Sequence, residues 1–202
     1  MIELNAAEIA AITGGELVGA AAADPSIPVT SATTDSREAG PSALFIAKPG
    51  EFSDGHLFVA RAFEAGAALA LTERPVTGAD GTVFPGIVVP DAVAAMGQIA
   101  AEIVRRLRAE GPLTVIGITG SAGKTTTKDL LAGLLGAHGK TVAPVGSYNG
   151  EVGVPLTIFN AGHGTRYLVV EMGATGVGHI TYLADMVRPD IGVVLCVGTA
   201  HS

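Results

Sequence analysis

The chain has 202 residues, 48% of them hydrophobic but only 4% aromatic, and a formal net charge of −7. That length suits one large or two small domains, with a core of Ala, Val, Ile and Leu of the kind that packs helices on a parallel sheet. The acidic balance and the lack of a Lys/Arg block disfavour nucleic-acid binding, and no apolar run approaches the ~20 residues of a membrane helix.

The first residues, with Glu3 and Glu8 and no basic start, do not read as a signal peptide, so a cytoplasmic protein is expected. Residues 5–13 read as a short helix stopped by Gly14-Gly15. The run of alanines at 20–23 is expected to be loop. Short strands are expected at 43–47, 68–72 and 86–89, with a helix at 55–65 ended by Gly66. Residues 91–108 form an amphipathic helix: Val93, Met96, Ala100, Ile103 and Leu107 recur three or four apart, Asp91 can cap the start, and Gly111-Pro112 stop it. The stop suggests a domain boundary, giving residues 1–110 and 111–202.

The second part is more regular. Strand-like runs at 113–118, 141–144, 167–171 and 191–197 alternate with helical segments at 125–137, around 155–159, and at 178–186. This alternation predicts an α/β fold, a parallel sheet with helices on both faces. The single cysteine, Cys196, lies in the last apolar run and is expected in the core. One cysteine cannot form an internal disulfide, which fits a reducing compartment.

Chemistry concentrates after the first of these strands. Thr119-Gly120-Ser121-Ala122-Gly123-Lys124-Thr125-Thr126 joins a strand to a helix start. Gly120 and Gly123 let the backbone turn tightly, N–H groups and the helix dipole favour an anion, Lys124 can reach terminal phosphates, and the Thr125 hydroxyl can ligate Mg²⁺. The strict phosphate-loop pattern needs glycine where Ile118 stands, so the match is to a shorter form. Ligands of open parallel sheets bind beyond the carboxyl ends of the strands. Residues 147–151 follow the second strand, Glu171 closes the third, and His201 follows the fourth, so all should line one sheet edge. Glu171 is placed to hold Mg²⁺, and His201 is a weaker metal candidate. Asn149 and Glu151 either contact a substrate or make a turn. In the first part, Ser36, Arg37 and Lys48 mark a candidate second anion site.

Together these residues resemble the Mur ligases, which make ATP-dependent amide bonds in peptidoglycan precursor synthesis. The TGSAGKTTT run is similar to that family's ATP loop. The DSR, GPSALFIAKPG and DGHLFVARAFEAGA segments resemble its UDP-sugar-binding domain. Within the family, SYNGEVGVPLT (147–157), EMGA (171–174) and VRPD (187–190) resemble the branch that adds D-alanyl-D-alanine. The resemblance implies a small mixed α/β UDP-sugar-binding domain followed by the first part of a P-loop-type ATP-binding domain. It implies a monomer that uses ATP and Mg²⁺, with UDP-N-acetylmuramoyl-tripeptide and D-alanyl-D-alanine as substrates. Residues 119–126 would hold ATP, with Lys124, Glu171 and His201 catalytic. Thr125, Glu171 and His201 would serve metal, and Ser36, Arg37, Lys48, Asn149 and Glu151 substrate. The family usually carries a second Asn where Gly150 stands. Its pattern also continues beyond Ser202, so residues 1–202 alone are expected to be inactive. Alternatives are a sibling ligase that adds the third amino acid, or a non-catalytic nucleotide- or UDP-sugar-binding module.

Overall fold

The computed structural model of the chain describes residues 1–50, 53–174, 176–196 and 198. The chain divides into two compact units, Met1–Ile99 and Ala100–Ser202.

The first unit opens with β1 (Leu4–Asn5) and α1 (Ala6–Thr13). Asn5 starts the helix through a capping box: its side chain accepts from the Glu8 N–H and the Glu8 carboxylate accepts from the Asn5 N–H, both at 2.9 Å. Next come β2 (Glu16–Val18), α2 (Ala20–Ala23), β3 (Pro28–Val29), β4 (Ser31–Thr33) and β5 (Ala43–Ile46). The alanines at 20–23, expected as loop, form one helical turn, in keeping with the high helix propensity of alanine. A 3₁₀ turn at Gly55–Phe58 runs into α3 (Val59–Glu64), followed by β6 (Leu69–Thr72), β7 (Gly86–Val88) and α4 (Ala92–Glu110).

β1 pairs antiparallel with β3. The other strands form one sheet in the order β2-β7-β6-β5-β4, parallel from β7 to β4, with β2 antiparallel at the edge. Its core joins Phe45, Ala47 and Ala70 to Val59 and Ala62 of α3. Phe63 stacks on Phe84 beside them, with ring centroids 4.9 Å apart. Asp54 caps the 3₁₀ turn and its carboxylate meets both the buried His56 ring and Arg74. His56 Nε2 accepts from the Glu73 N–H at 2.8 Å, so its neutral ring carries the proton on Nδ1, toward Asp54. These polar atoms hold the fold.

The division between the units falls within α4. Asp91 Oδ1 accepts from the Val93 and Ala94 N–H groups at the helix start, as its capping position predicts. The second unit continues with β8 (Thr114–Thr119), α5 (Lys124–Gly136), β9 (Thr141–Val142), α6 (Gly153–Ile158), β10 (Tyr167–Glu171), α7 (His179–Val187) and β11 (Ile191–Val194). The strands are all parallel, in the order β11-β8-β10-β9. Ile116, Ile118 and Val169 pack against Leu131 and Leu135 of α5. On the alternate face of β8, a Cβ on Gly117 would come within 2.9 Å of the Met172 side chain, and α7 packs there too.

Cys196, expected in the core, is exposed. Among the described residues β11 pairs only with β8, and Ile191 and Val194 are exposed as well. On this strand the apolar run is covered only in part. Among the described residues no helix is long and apolar enough to cross a membrane.

One ion pair ties the end of α4 to the start of β11. Asp190 accepts from Arg108 Nη1 and Nη2 at 2.9 and 3.0 Å and from the Val115 N–H at 2.7 Å. Arg108 also donates to the carbonyl of Arg188, at 2.7 Å. Arg188 has φ 45°, a left-handed conformation that costs a non-glycine residue about 1 kcal/mol. Hydrogen bonds from Arg108 hold the Asp190 carboxyl below its ordinary range. A lowered native pKa means stability present above the unfolded value of about 3.9 and lost as pH falls through the native one. Asp190→Asn should therefore cost about 1 kcal/mol in urea unfolding at pH 7, a figure discounted for partial exposure. The gap to the unsubstituted chain should shrink at pH 3.

Candidate active site

β8 ends at a turn that only glycine can make. Gly120 has φ 142° and Gly123 φ 84°. A Cβ on Gly120 would also lie 2.8 Å from the Leu195 Cβ. The turn delivers the chain to α5, whose N-cap, Gly123, makes no side-chain cap bond. The first-turn N–H groups are therefore left to an anion. Lys124 Nζ curls back over the loop and donates to the Gly120 carbonyl at 2.6 Å. Ala122 and Thr126 complete the exposed loop and first turn.

Ser121 is tied elsewhere. Its N–H donates to the Cys196 carbonyl at 2.8 Å, and its hydroxyl exchanges two 3.0 Å hydrogen bonds with the backbone of Gly198.

Glu171 ends β10, beside β8, and is 1% exposed. Its Oε2 accepts from the Thr125 hydroxyl and its Oε1 from the Asn149 amide, each at 3.1 Å. The Ser147 hydroxyl lies 3.5 Å from that of Thr125. Both of these donors are neutral, so the buried carboxylate keeps most of its desolvation cost. A divalent cation would offset it. The Glu171 and Thr125 oxygens suit Mg²⁺ better than a softer metal. Among the described residues there is no cluster of three His, Cys, Asp or Glu side chains that could hold a metal alone.

A cleft of about 650 Å³ lies beside this group, with Asn149 in its wall and Thr125 and Glu171 outside its lining. Thr119, Gly120, Ser121, Lys124, Asn149 and Glu151, all candidates from sequence, line it. His179 and Leu183 of α7 also line it and were not anticipated, since nothing in their spacing marks a site. His201 lies outside the described residues.

Ser36, Arg37 and Lys48 belong to the other unit. They follow the carboxyl ends of the adjacent parallel strands β4 and β5, on one edge of that sheet. Ser36 is buried. The Arg37 guanidinium is engaged by Asp35 through both its Nε and Nη2, at 2.9 and 2.5 Å. That pairing holds Asp35 at about 2.

The Mur ligase middle-domain model matches residues 118–202, and the model of the Mur ligase family catalytic domain matches residues 28–104. The chain belongs to the Mur ligase family. It is 43% identical over 219 aligned residues to a UDP-N-acetylmuramoyl-tripeptide–D-alanyl-D-alanine ligase of Mycobacterium tuberculosis, covering 100% of this chain and 42% of that one. The Escherichia coli ligase of the same name is 33% identical, again over 100% of this chain and 42% of the relative. A crystal structure of MurF from Acinetobacter baumannii superposes with a TM-score of 0.85 at 33% identity, over 98% of this chain and 42% of that one. MurF from Thermotoga maritima in complex with ADP superposes at 0.72 and 34% identity, over 86% and 39%. This Mur ligase chain thus spans less than half the length of the relatives it matches.

Proposed function

We propose that this Mur ligase chain supplies the nucleotide- and UDP-sugar-binding parts of an enzyme that joins D-alanyl-D-alanine to UDP-N-acetylmuramoyl-tripeptide at the expense of ATP. The observation that carries the reading is the 43% identity to D-alanyl-D-alanine-adding ligases across the whole chain. The glycine loop beside a buried carboxylate supports it chemically, as does the Thermotoga relative's complex with ADP. Residues 1–110 would bind the UDP-sugar through Ser36, Arg37 and Lys48, and residues 111–202 would bind ATP. We place the reaction in the cytoplasm, in a monomer.

A carboxylate is a poor acyl donor because its leaving group would be oxide. Its oxygen attacks the γ-phosphorus of ATP, the bond to the β–γ bridging oxygen breaks, and ADP leaves. The neutral amine of D-alanyl-D-alanine then attacks the acyl carbon; the tetrahedral intermediate loses the nitrogen's proton to solvent and collapses, the C–O bond to phosphate breaks, and phosphate leaves behind an amide. Lys124 and the loop N–H groups stabilise the transferring phosphoryl group. Thr125 and Glu171 would hold Mg²⁺, with His201 proposed at a second metal, and the ion would offset repulsion between the carboxylate and the triphosphate. Asn149 and Glu151 face the same cleft and would contact the substrate.

Phosphate release by the ligase containing this chain tests the reading. It should require UDP-muramoyl tripeptide and D-alanyl-D-alanine together. Release with UDP-muramoyl dipeptide and a single amino acid instead would assign the enzyme to the sibling step.

A further inference from the structure

Lys128 is a buried cation that the site above leaves unused. It lies on α5 and is 3% exposed. Its Nζ donates to the Pro144 carbonyl at 2.9 Å and the Gly146 carbonyl at 3.3 Å, and meets the exposed Asp129 carboxylate at 2.6 Å. Burying an ammonium is costly unless it is paired and hydrogen-bonded, and here two carbonyls accept from it while a carboxylate supplies the opposite charge. Two of those partners are main-chain carbonyls of the segment between β9 and α6, and the same segment carries Ser147 and Asn149.

Lys128 stands one turn beyond Lys124 and Thr125, on the same helix face. Thr125 reaches Ser147 while Lys128 reaches Pro144 and Gly146. The helix that begins at the glycine loop thus holds this segment through Lys128 and lies beside it at Thr125. Gly146, at φ 62°, turns the chain directly from the second tied carbonyl to Ser147. Three residues after Gly146, the Asn149 amide meets Glu171.

We propose that Lys128 is a positioning residue: by fixing the carbonyls of residues 144 and 146, it sets the Asn149 amide against Glu171 and so aims the carboxylate at the metal position. The proposal rests on the nucleotide–magnesium reading above. Lys128→Met keeps the apolar stem and removes the ammonium. In the ligase containing this chain, binding of a non-hydrolysable ATP analogue in EDTA should be unchanged. The gain in affinity on adding Mg²⁺ should fall about tenfold. Backbone amides of residues 145–151 should exchange faster while those of β10 keep their protection. Asn149→Ala should give the same loss of Mg²⁺ gain, and the double variant should be no worse than either single one.

Equal weakening with and without Mg²⁺ would reduce Lys128 to general packing and overturn the proposal, as would an unchanged gain. Should Lys128→Met fail to fold, Lys128→Gln takes its place under the same criteria. An unsubstituted enzyme with no Mg²⁺ gain would overturn the underlying reading and this proposal with it. Normal Mg²⁺ gain in both the unsubstituted enzyme and the Lys128 variant would overturn this proposal alone.

Discussion

Lys124→Ala should lower turnover of the ligase containing this chain by about 10³-fold. The argument is geometric. Gly120 and Gly123 bend the backbone so that the first turn of α5 faces the cleft, and Lys124 crosses the loop with its ammonium 2.6 Å from the Gly120 carbonyl. That carbonyl holds the ammonium at the cleft, where the proposed reading puts the γ-phosphoryl. Backbone N–H groups neutralise phosphate charge only in part, and among the loop's side chains only Lys124 brings a full positive charge. The substitution removes that charge but not the loop, so the analogue should still bind, more weakly. Phosphate release in single-turnover conditions measures the effect. Turnover within a few fold of the unsubstituted enzyme would take Lys124 out of the chemistry.

Glu171→Gln should lower activity without lowering stability. The carboxylate is buried and its two donors, Thr125 and Asn149, are neutral. Gln replaces the charge at nearly constant volume, and an amide flip at residue 149 can restore the pairing. Relief of the buried charge should leave the metal-free thermal midpoint unchanged or raise it by a few degrees. Mg²⁺-dependent turnover should fall by about 10²-fold or more if, as proposed, this carboxylate is the charged protein ligand of the ion. Calorimetry and a Mg²⁺ titration of activity read the two effects separately. A large fall in the metal-free midpoint would show that the carboxylate is held by cations the structure does not place beside it.

Much of this site is legible without coordinates, for a physical reason. Glycine at 120 and 123 and lysine at 124 are each required by backbone geometry or charge, so their spacing carries the loop directly. Parallel strands also send their carboxyl ends to one edge, which is why Glu171 and Asn149 could be placed near the loop from strand order alone. Other features have no such local signature. The strands β1 to β4 are two or three residues long, too short to show alternation, and they exist because of their partners. The helical turn at Ala20–Ala23 followed propensity where low complexity suggested loop. Cys196 sits in an apolar run, but burial depends on what flanks the strand, which sequence does not state. Lys128 shares a helix face with Lys124 and Thr125. Its spacing is visible, but whether a lysine there is buried depends on residues 144–146 folding over it.

The close approach of Gly120 to Leu195 leaves no room for a side chain between the start of the glycine loop and the residue that follows β11. Ser121 fastens the same two stretches of main chain a residue later. The two stretches thus share one boundary, and a side chain at position 120 would press on Leu195 as well as strain the turn itself.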